Sequence, residues 1–506
     1  MNPISDERFD ELAHKAVAGN CSPEESAELQ NAVAESPDRT GKLAELHALA
    51  AVARDLLALT RATEATTPAL PEHIRVRLQE KLEATKERKR RAAMRAEANA
   101  EAVRRMTSAE PVLIDVQSAG QAIPGMTPNT ILTSGPPMSW HEYYGGQRNA
   151  VIYGALYEGL ATDEADAEAK ILDGRIVLAA THDHGCVGSV AGIYTASMPV
   201  FVVENANGGN RAYCNFYEGE SRHRLNYGSY DDEVRDGLNF LRDELAPVLK
   251  DVIARKGGIP LKPLIGRALR MGDELHSRNT AATSLLIREL TPQFVEYAVA
   301  ESKERALSAI GFLLDSDYSF LRLSMACAKA MADAARDIPR ASVVTAMTIS
   351  CQNFAIRVSG LGDEWFLGPL PEVSCKLFEG FTNDDVQWIG GESHITETVG
   401  LGGFAQAAAF GLQAYQGGTA EEMVRMNLLM YDITVAEHPD FKIPFFGFRG
   451  SPVGIDIFKV AETGIRPAID GGLAGKNGGQ IGAGTLYAPL ECFTQAAEAY
   501  SERYPD

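Results

Sequence analysis

Apolar residues recur at helical spacing through the first hundred positions and in short strand-like runs from about residue 110, so the change of period divides the chain. In the first part Leu43, Leu46, Leu49, Ala50, Val52, Ala53, Leu56 and Leu57 form one apolar helical stripe. Ser22-Pro23-Glu24-Glu25 reads as a capping box that starts a helix, and Ser36-Pro37-Asp38 repeats its cap-then-proline half. Residues 60–71, with Thr66-Thr67-Pro68 and Leu70-Pro71, predict a linker, and 72–105 a charged helix. Beyond residue 110 the runs 112–116, 150–153, 176–180 and 199–203 read as strands, with helices at 164–172 and 231–253. Residues 263–336 are almost wholly helical in pattern, with Ser324 and alternating alanines suggesting close packing, and strand patterns return at 342–348 and 354–358. The expected class is α+β: two α/β-type sheet domains flanking a helical domain, with an extra N-terminal all-helical module. The expected boundaries are 1–60 for the helical module, 61–108 for linker and charged helix, 109–255 and 341–506 for the α+β domains, and 256–340 for the helical domain.

Charge narrows the partners. Against 48 Lys and Arg stand 68 Asp and Glu, a net charge of −20 that repels a phosphate backbone, so no nucleic-acid partner is expected. The run Lys86-Glu87-Arg88-Lys89-Arg90-Arg91 is interleaved with glutamate and lacks aromatics, as a solvated helix face would be. Seven cysteines with no C-x-x-C spacing give neither a disulfide framework nor a zinc ribbon, which points to a reducing cytoplasm. The acidic start has no apolar signal region, and no run approaches the roughly 18 apolar residues of a membrane helix, so no membrane partner is expected. The segment before residue 60 is similar to the helical N-terminal part of anti-sigma and FecR-type proteins. The zinc-binding forms of that segment carry a His and two close cysteines, whereas His14 and Cys21 here lack the second.

Five segments are dense in Gly, Asn, Arg, Glu and His: 202–205, 209–213, 271–279, 395–398 and 479–485. A packed core needs none of this chemistry, while a polar ligand with several oxygens needs most of it. His182 and His184 follow a strand at its C-terminal end, where alternation would put them on one side. An H-x-H metal pair is one reading, but no second histidine cluster supports it, and hydrogen-bonding or acid-base histidines are preferred; no metal or cofactor is expected. A helix starting near Asp273 would be capped by that carboxylate and would set Glu274 with Arg278, and Leu275 with Asn279, one turn apart, leaving His276 and Asn279 to a cleft. Gly209-Asn210-Arg211 offers a guanidinium fork beside a turn, and Gly482-Ala483-Gly484-Thr485 a second glycine turn that is not a P-loop. Tight turns and helix caps are the plain alternative for each.

Together with Gly135-Pro136-Pro137-Met138, Ser197-Met198-Pro199, Val203-Glu204-Asn205, Gly209-Asn210-Arg211-Ala212-Tyr213-Cys214, Met271-Gly272-Asp273-Glu274, Val344-Thr345-Ala346-Met347, Ile395-Thr396-Glu397-Thr398 and Gln480-Ile481-Gly482-Ala483-Gly484-Thr485, the segments closely resemble the YlbE-like family over residues 111–500. That family includes AllG subunits of oxamate carbamoyltransferase. The pattern departs from the family at Ser189-Val190, Tyr217, Ile349-Ser350-Cys351 and Gly475. The resemblance implies work in a heteromeric, oligomeric enzyme that converts oxalurate, or a related ureido acid, and phosphate into oxamate and carbamoyl phosphate. On this reading Arg211, Arg278 and Arg357 are anion binders, with Arg211, Arg278 and His276 in one cleft. His182, His184 or His276 orients substrate or moves a proton, with Glu274 and Glu397 as alignment partners, and Asn205, Asn210, Asn279, Gly484 and Thr485 complete the substrate site. The alternatives are a non-catalytic or ligand-sensing subunit that recruits a partner through its N-terminal helices and, third, a metal-dependent amidohydrolase using His182 and His184.

Overall fold

The computed structural model describes residues 5–17, 20–34, 36, 39–44, 46, 47, 51 and 72–505. The expected linker at 60–71 and most of the stripe after Leu46 lie outside them. The chain divides into two compact units, residues 1–86 and 87–506. In the first unit, helices α1 (Asp6–Val17) and α2 (Pro23–Ala34) bury Phe9, Leu12, Ala13, Leu29 and Ala32 against one another. The capping box at the start of α2 is present: Ser22 N donates to Glu25 Oε2 at 2.9 Å and Glu25 N to Ser22 Oγ at 3.2 Å.

Helix α3 spans Glu72–Ser108, and its last turns are core rather than linker. Ala102, Val103 and Met106 are buried, and Asn99 bonds Ser342 through both its amide atoms as well as Asp456 Oδ2. An amphipathic patch near the end of this mostly charged helix carries the packing, on the near side of the expected boundary at 108. Deletion of residues 1–86 is expected to leave a cooperative melt. Met106→Ala alone should cost about 2–5 kcal/mol, as for other buried large-to-small changes, measured by denaturant unfolding.

The second unit opens with strands β1 (Pro111–Ser118), β2 (Thr130–Thr133), β3 (Val177–Ala180), β4 (Cys186–Val187), β5 (Pro199–Asn205), β6 (Arg211–Asn215) and β7 (Ile259–Pro260). Five of them form a sheet in the order β4-β6-β5-β1-β7, antiparallel except for β4 with β6. Strands β2 and β3 pair in parallel, which requires a crossover, supplied by helices α4 (Gly145–Tyr157) and α5 (Glu164–Leu172). The run 150–153, expected as a strand, lies inside α4. Its neighbours Gly146, Gln147, Gly154 and Ala155 are buried with it at helical spacing, and a four-residue apolar run does not distinguish the two periods. Strand β3 has one pairing partner, and Val177 on it is 48% exposed.

Helices α6 (Asp232–Phe240), α7 (Ala246–Lys256), α8 (Leu261–Leu269), α9 (Thr280–Ala300), α10 (Lys303–Leu314) and α11 (Leu321–Asp333) follow. They share one hydrophobic core with the first sheet, and α11 is buried at every residue from Leu321 to Ala332, including Arg322 and Lys329. A second core, with Phe354, Ile356, Ile455 and Phe493, lies between three further sheets and the last helix. These sheets are β8 (Val344–Ile349), β9 (Phe354–Val358) and β10 (Phe366–Gly368) in the order β10-β9-β8; β11 (Lys376–Leu377), β14 (Ala468–Ala474) and β15 (Gln480–Tyr487) in the order β11-β15-β14; and the pair β12 (Thr434–Ile443) with β13 (Arg449–Ile455). The class is α+β. Among the described residues no helix is long and apolar enough to cross a membrane.

Candidate functional site

The loop between α8 and α9 builds the centre of the site. It turns through Gly272 at φ +98° and Leu275 at φ +73°, and the second is a buried non-glycine residue in the left-handed region, a strained conformation that surrounding structure must hold. The holding group is Glu274, whose carboxyl accepts from the main-chain amides of His276, Ser277 and Arg278. Helix α9 begins at Thr280 rather than near Asp273, and Asp273 Oδ2 reaches it from outside, accepting from Ala282 N at 2.8 Å. The expected one-turn pairs Glu274/Arg278 and Leu275/Asn279 are therefore absent, because 273–279 is a loop folded round a carboxyl. Asn279 closes it, donating to His276 O at 2.9 Å and accepting from Ser324 Oγ at 3.1 Å.

His276 Nδ1 lies 2.8 Å from Glu397 Oε1, and both side chains are buried. Burial by itself would lower the imidazole pKa, but the charge of Glu397 and its hydrogen bond outweigh this and the pKa is raised. Burial likewise pushes Glu397 upward, and His276 with the Gly403 amide brings it below the usual carboxylate range. Glu397 sits in the one-turn helix Ile395–Thr398 and also accepts from Thr396 Oγ1 and from the amides of Gly403 and Asp470. Gly402, at φ +58°, passes so close that a Cβ there would strike Glu397 Oε1. Gly402→Ala is expected to cost at least about 1–3 kcal/mol of backbone strain and to break the His276–Glu397 pair, read by unfolding and by the histidine's titration.

Asp470, on β14, completes the cluster. Its side chain accepts from Gln406 Nε2, which also donates to Thr485 Oγ1 at 2.8 Å, so Thr485 on β15 braces the same amide. Gly484 lets β15 approach Cys375, where a Cβ would come within 2.8 Å of Cys375 Cα. Burial, and then the charge of Glu397, push the Asp470 carboxyl up to about 6. Burial and Asp470 raise Glu274 well above its ordinary value, so the pair retains a proton on Glu274.

These groups border a cavity of about 120 Å³, lined by His276 and Asp470 together with Arg224, Arg322 and the rings of Tyr217, Tyr227, Tyr318 and Tyr415. Among the described residues the one hydrogen bond made by the His276 ring is at Nδ1. Arg224 donates from Nη1 to Tyr217 Oη and Gly219 O and lies 4.5 Å over the Tyr227 ring; Arg322 donates from Nη1 to Asn215 Oδ1 at 3.0 Å. The Nε of each is buried without a partner, and among the described residues no carboxylate lies within ion-pair distance of either. Arg322 is buried, whereas Arg224 is partly exposed and feels the charge of Glu218 beyond ion-pair distance; a buried guanidinium without an ion pair is costly, and an anion in the cavity would offset that cost.

Of the expected site residues, Glu274, His276, Asn279, Glu397, Gly484 and Thr485 gather at this cavity or in the structure behind its wall. The others lie apart. Arg211 pairs with Glu204 at 2.7 Å across β5 and β6 with its side chain 49% exposed, so the cleft expected to join it with Arg278 and His276 is not formed. Arg278 is half-exposed, 3.5 Å from Asp273 Oδ1. Asn205 and Asn210 hold the β5–β6 turn: Asn205 donates to Asn210 Oδ1 and accepts from Glu110 N, and Asn210 donates to Ala330 O. Arg357 pairs with Asp183 and lies 4.2 Å over Trp365. His182 and His184 fall in a 3₁₀ turn rather than a strand, so they separate: His182 is buried with neither ring nitrogen bonded, 3.8 Å from Glu392, whereas the His184 ring meets Pro124 O near the surface. Among the described residues no three His, Cys, Asp or Glu side chains are grouped to hold a metal ion.

Sequence reasoning missed Arg224, Arg322, Asp470 and the four tyrosines. Arg322 had a legible signal, an arginine in a helix rich in alanine and other apolar residues, since arginine is almost never fully buried without a partner. Asp470 had none. Ser189, Val190, Tyr217 and Ile349, where the chain departs from the family pattern, all line the cavity.

Comparison with known proteins adds the following. Residues 176–393 match the model of the family described as oxamate carbamoyltransferase subunit AllG. The chain is 41% identical over 413 residues to the uncharacterized protein YahG of Escherichia coli strain K12, covering 81% of this chain and 86% of YahG. It is 40% identical over 412 residues to the oxamate carbamoyltransferase subunit AllG of the same strain, covering 80% of this chain and 98% of AllG. The crystal structure of a conserved protein of unknown function from Enterococcus faecalis V583 is similar with a TM-score of 0.78 and 38% identity, covering 81% of this chain and 98% of that one.

Proposed function

Because the chain belongs to the oxamate carbamoyltransferase subunit AllG family, we propose that it is a subunit of a carbamoyltransferase-type enzyme whose cavity binds a small ureido acid. The observation that carries this reading is the buried guanidinium of Arg322 and the partly buried one of Arg224, neither in an ion pair among the described residues, lining one cavity with a His–Glu dyad. Arg224 and Arg322 take the carboxylate of the acid, and the cavity, smaller than the roughly 300–1,000 Å³ of common ligand sites, holds one such molecule. Phosphate then meets it at the cavity mouth. A phosphate oxygen forms the new bond to the carbamoyl carbon as the bond from that carbon to the amide nitrogen breaks. That nitrogen keeps the electron pair and takes a proton from His276 Nε2, and the proton of the phosphate returns to the imidazole. Glu397 holds the ring and favours its protonated form. No cofactor is required by this step, and the other subunits of the complex are the macromolecular partners.

The departures at Ser189, Val190, Tyr217 and Ile349 reshape the cavity wall, which favours a ureido acid related to oxalurate over oxalurate itself. A ligand-sensing subunit is the second reading, favoured by a cavity with room for one acid only; the N-terminal helices would then recruit a partner. Calorimetric titration of the full chain with oxalurate, oxamate and phosphate tests the first claim, and turnover with the partner subunits supplied tests the second. Binding with turnover that requires His276 supports the enzymatic reading, binding with turnover indifferent to His276→Ala supports the sensing one, and no binding of any of these removes both.

A further inference from the structure

A second hollow, of about 510 Å³, shares no lining residue with the His276 cavity. One wall is α3, where Arg88, Arg91 and Arg95 recur at intervals of three and four and so fall on one helical face. The basic run 86–91, expected as a solvated face, thereby divides: Arg90 pairs with Glu87 with its side chain 67% exposed, while Arg88 and Arg91 line the hollow. The remaining wall is Phe458 on the helix Ile457–Thr463, Tyr500 and Tyr504 at the end of the helix Leu490–Arg503, and a fourth guanidinium, Arg340. Arg340 stands in the left-handed region at φ +68° and both tyrosines hold it there: its amide donates to Tyr504 Oη at 3.0 Å, and its carbonyl accepts from Tyr500 Oη at 2.6 Å. Tyr504 Oη in turn donates to Gly360 O at 2.8 Å. With both hydroxyls tied up inside the protein, the hollow presents ring surface and guanidinium to a ligand.

The guanidiniums are held by stacking rather than by ion pairs. Arg95 lies 4.0 Å over the Phe458 ring and Arg340 5.0 Å over the Tyr504 ring, and a fork so stacked still donates from its N–H edges. Arg91 is paired with Glu87 and bonds Tyr504 O at 3.2 Å. Among the described residues the guanidiniums of Arg88, Arg95 and Arg340 make no ion pair and no hydrogen bond, and Glu462 is the one carboxylate of the lining. We propose that this hollow is a second anion site, separate from the His276 cavity, which takes a small ligand bearing a chain of phosphoryl groups. Planar guanidinium forks match phosphate oxygens two at a time. Arg88 and Arg95 are seven residues apart on α3, about 10 Å along the helix, which suits several linked charges rather than one. The volume lies within the roughly 300–1,000 Å³ of common ligand sites, and the net charge of −20 repels a long phosphate polymer. A nucleoside triphosphate and an inorganic polyphosphate share the required chemistry.

Calorimetric titration of the full chain with ATP, tripolyphosphate and orthophosphate, without magnesium, tests the site. Tripolyphosphate and ATP are each expected to bind at least tenfold more tightly than orthophosphate. The double variant Arg95→Met, Arg340→Met is expected to weaken both at least tenfold, whereas Arg322→Met in the other cavity changes them less than threefold. ATP bound more tightly than tripolyphosphate assigns a nucleotide whose ring uses the aromatic wall, and equal or weaker binding of ATP assigns the phosphate chain alone. Should the double variant not fold, Arg88→Met, at an exposed position without side-chain partners, is expected to weaken both at least threefold. Polyphosphates that do not bind, that bind no better than orthophosphate, or whose affinity is unchanged in the arginine variants of this hollow overturn the proposal. Oxalurate titrated into the same variants reads the His276 cavity separately, so loss of one site leaves the other standing.

Discussion

Arg322→Met abolishes the rise in melting temperature that a small acid produces in the wild type, while the unliganded variant stays within about 1–2 kcal/mol of wild-type stability. The loss follows from removing a charge-assisted contact in a desolvated site, typically about 2–5 kcal/mol of binding. The near-neutral effect on the free protein is a balance. Replacing a buried ionic group by an apolar one of similar volume is often neutral or stabilising by about 1–4 kcal/mol, whereas freeing Asn215 Oδ1 costs about 1–3 kcal/mol. Arg211→Met serves as the contrast, since its exposed pair with Glu204 is worth about 0–1 kcal/mol and lies away from the cavity. A melting shift in Arg322→Met equal to that of the wild type, with oxalurate or phosphate as ligand, places the anion elsewhere.

His276→Ala lowers the turnover of the assembled enzyme by about 10²–10⁴-fold, the usual contribution of a positioned acid-base group. The pH profile separates this role from simple packing. On the proposed step turnover requires protonated His276, so the basic limb falls as pH rises through the raised pKa of His276, above its ordinary 6.5. Glu397→Gln removes the charge that opposes burial, so the basic limb moves to lower pH; an unmoved limb in that variant excludes His276 as the acid. Stability carries the same dyad with definite signs. The raised pKa of His276 contributes stability that is complete below 6.5 and is lost as pH rises through the folded value, and the lowered pKa of Glu397 contributes stability that is complete above 4.5 and is lost as pH falls through its folded value. Between 4.5 and 6.5 the dyad stabilises fully. Asp470 works against it, because a pKa raised from 3.8 to about 6 loses stability as pH climbs across that interval.

Local pattern was enough for the α+β class, for the capping box at Ser22, for α5 and β9, and for the loop 271–279 and the helix Ile395–Thr398 as chemically loaded segments. Each of these is written in near neighbours: a cap and its third residue, an apolar period, a cluster of polar side chains that no core needs. What the side chains at those segments do was settled by contacts across the fold. His276 meets Glu397 over 121 positions of chain, and Glu397 meets the amide of Asp470 over 73. The tertiary structure also decided where the arginines lie. Arg211, in a motif rich in glycine and asparagine, lies on an exposed strand pair, while Arg322, in a plain alanine-rich helix, is carried into the cavity wall because α11 is buried on all sides. Sequence spacing reports which residues share a strand or a helix face, but burial and the absence of a counter-charge depend on every element packed around them.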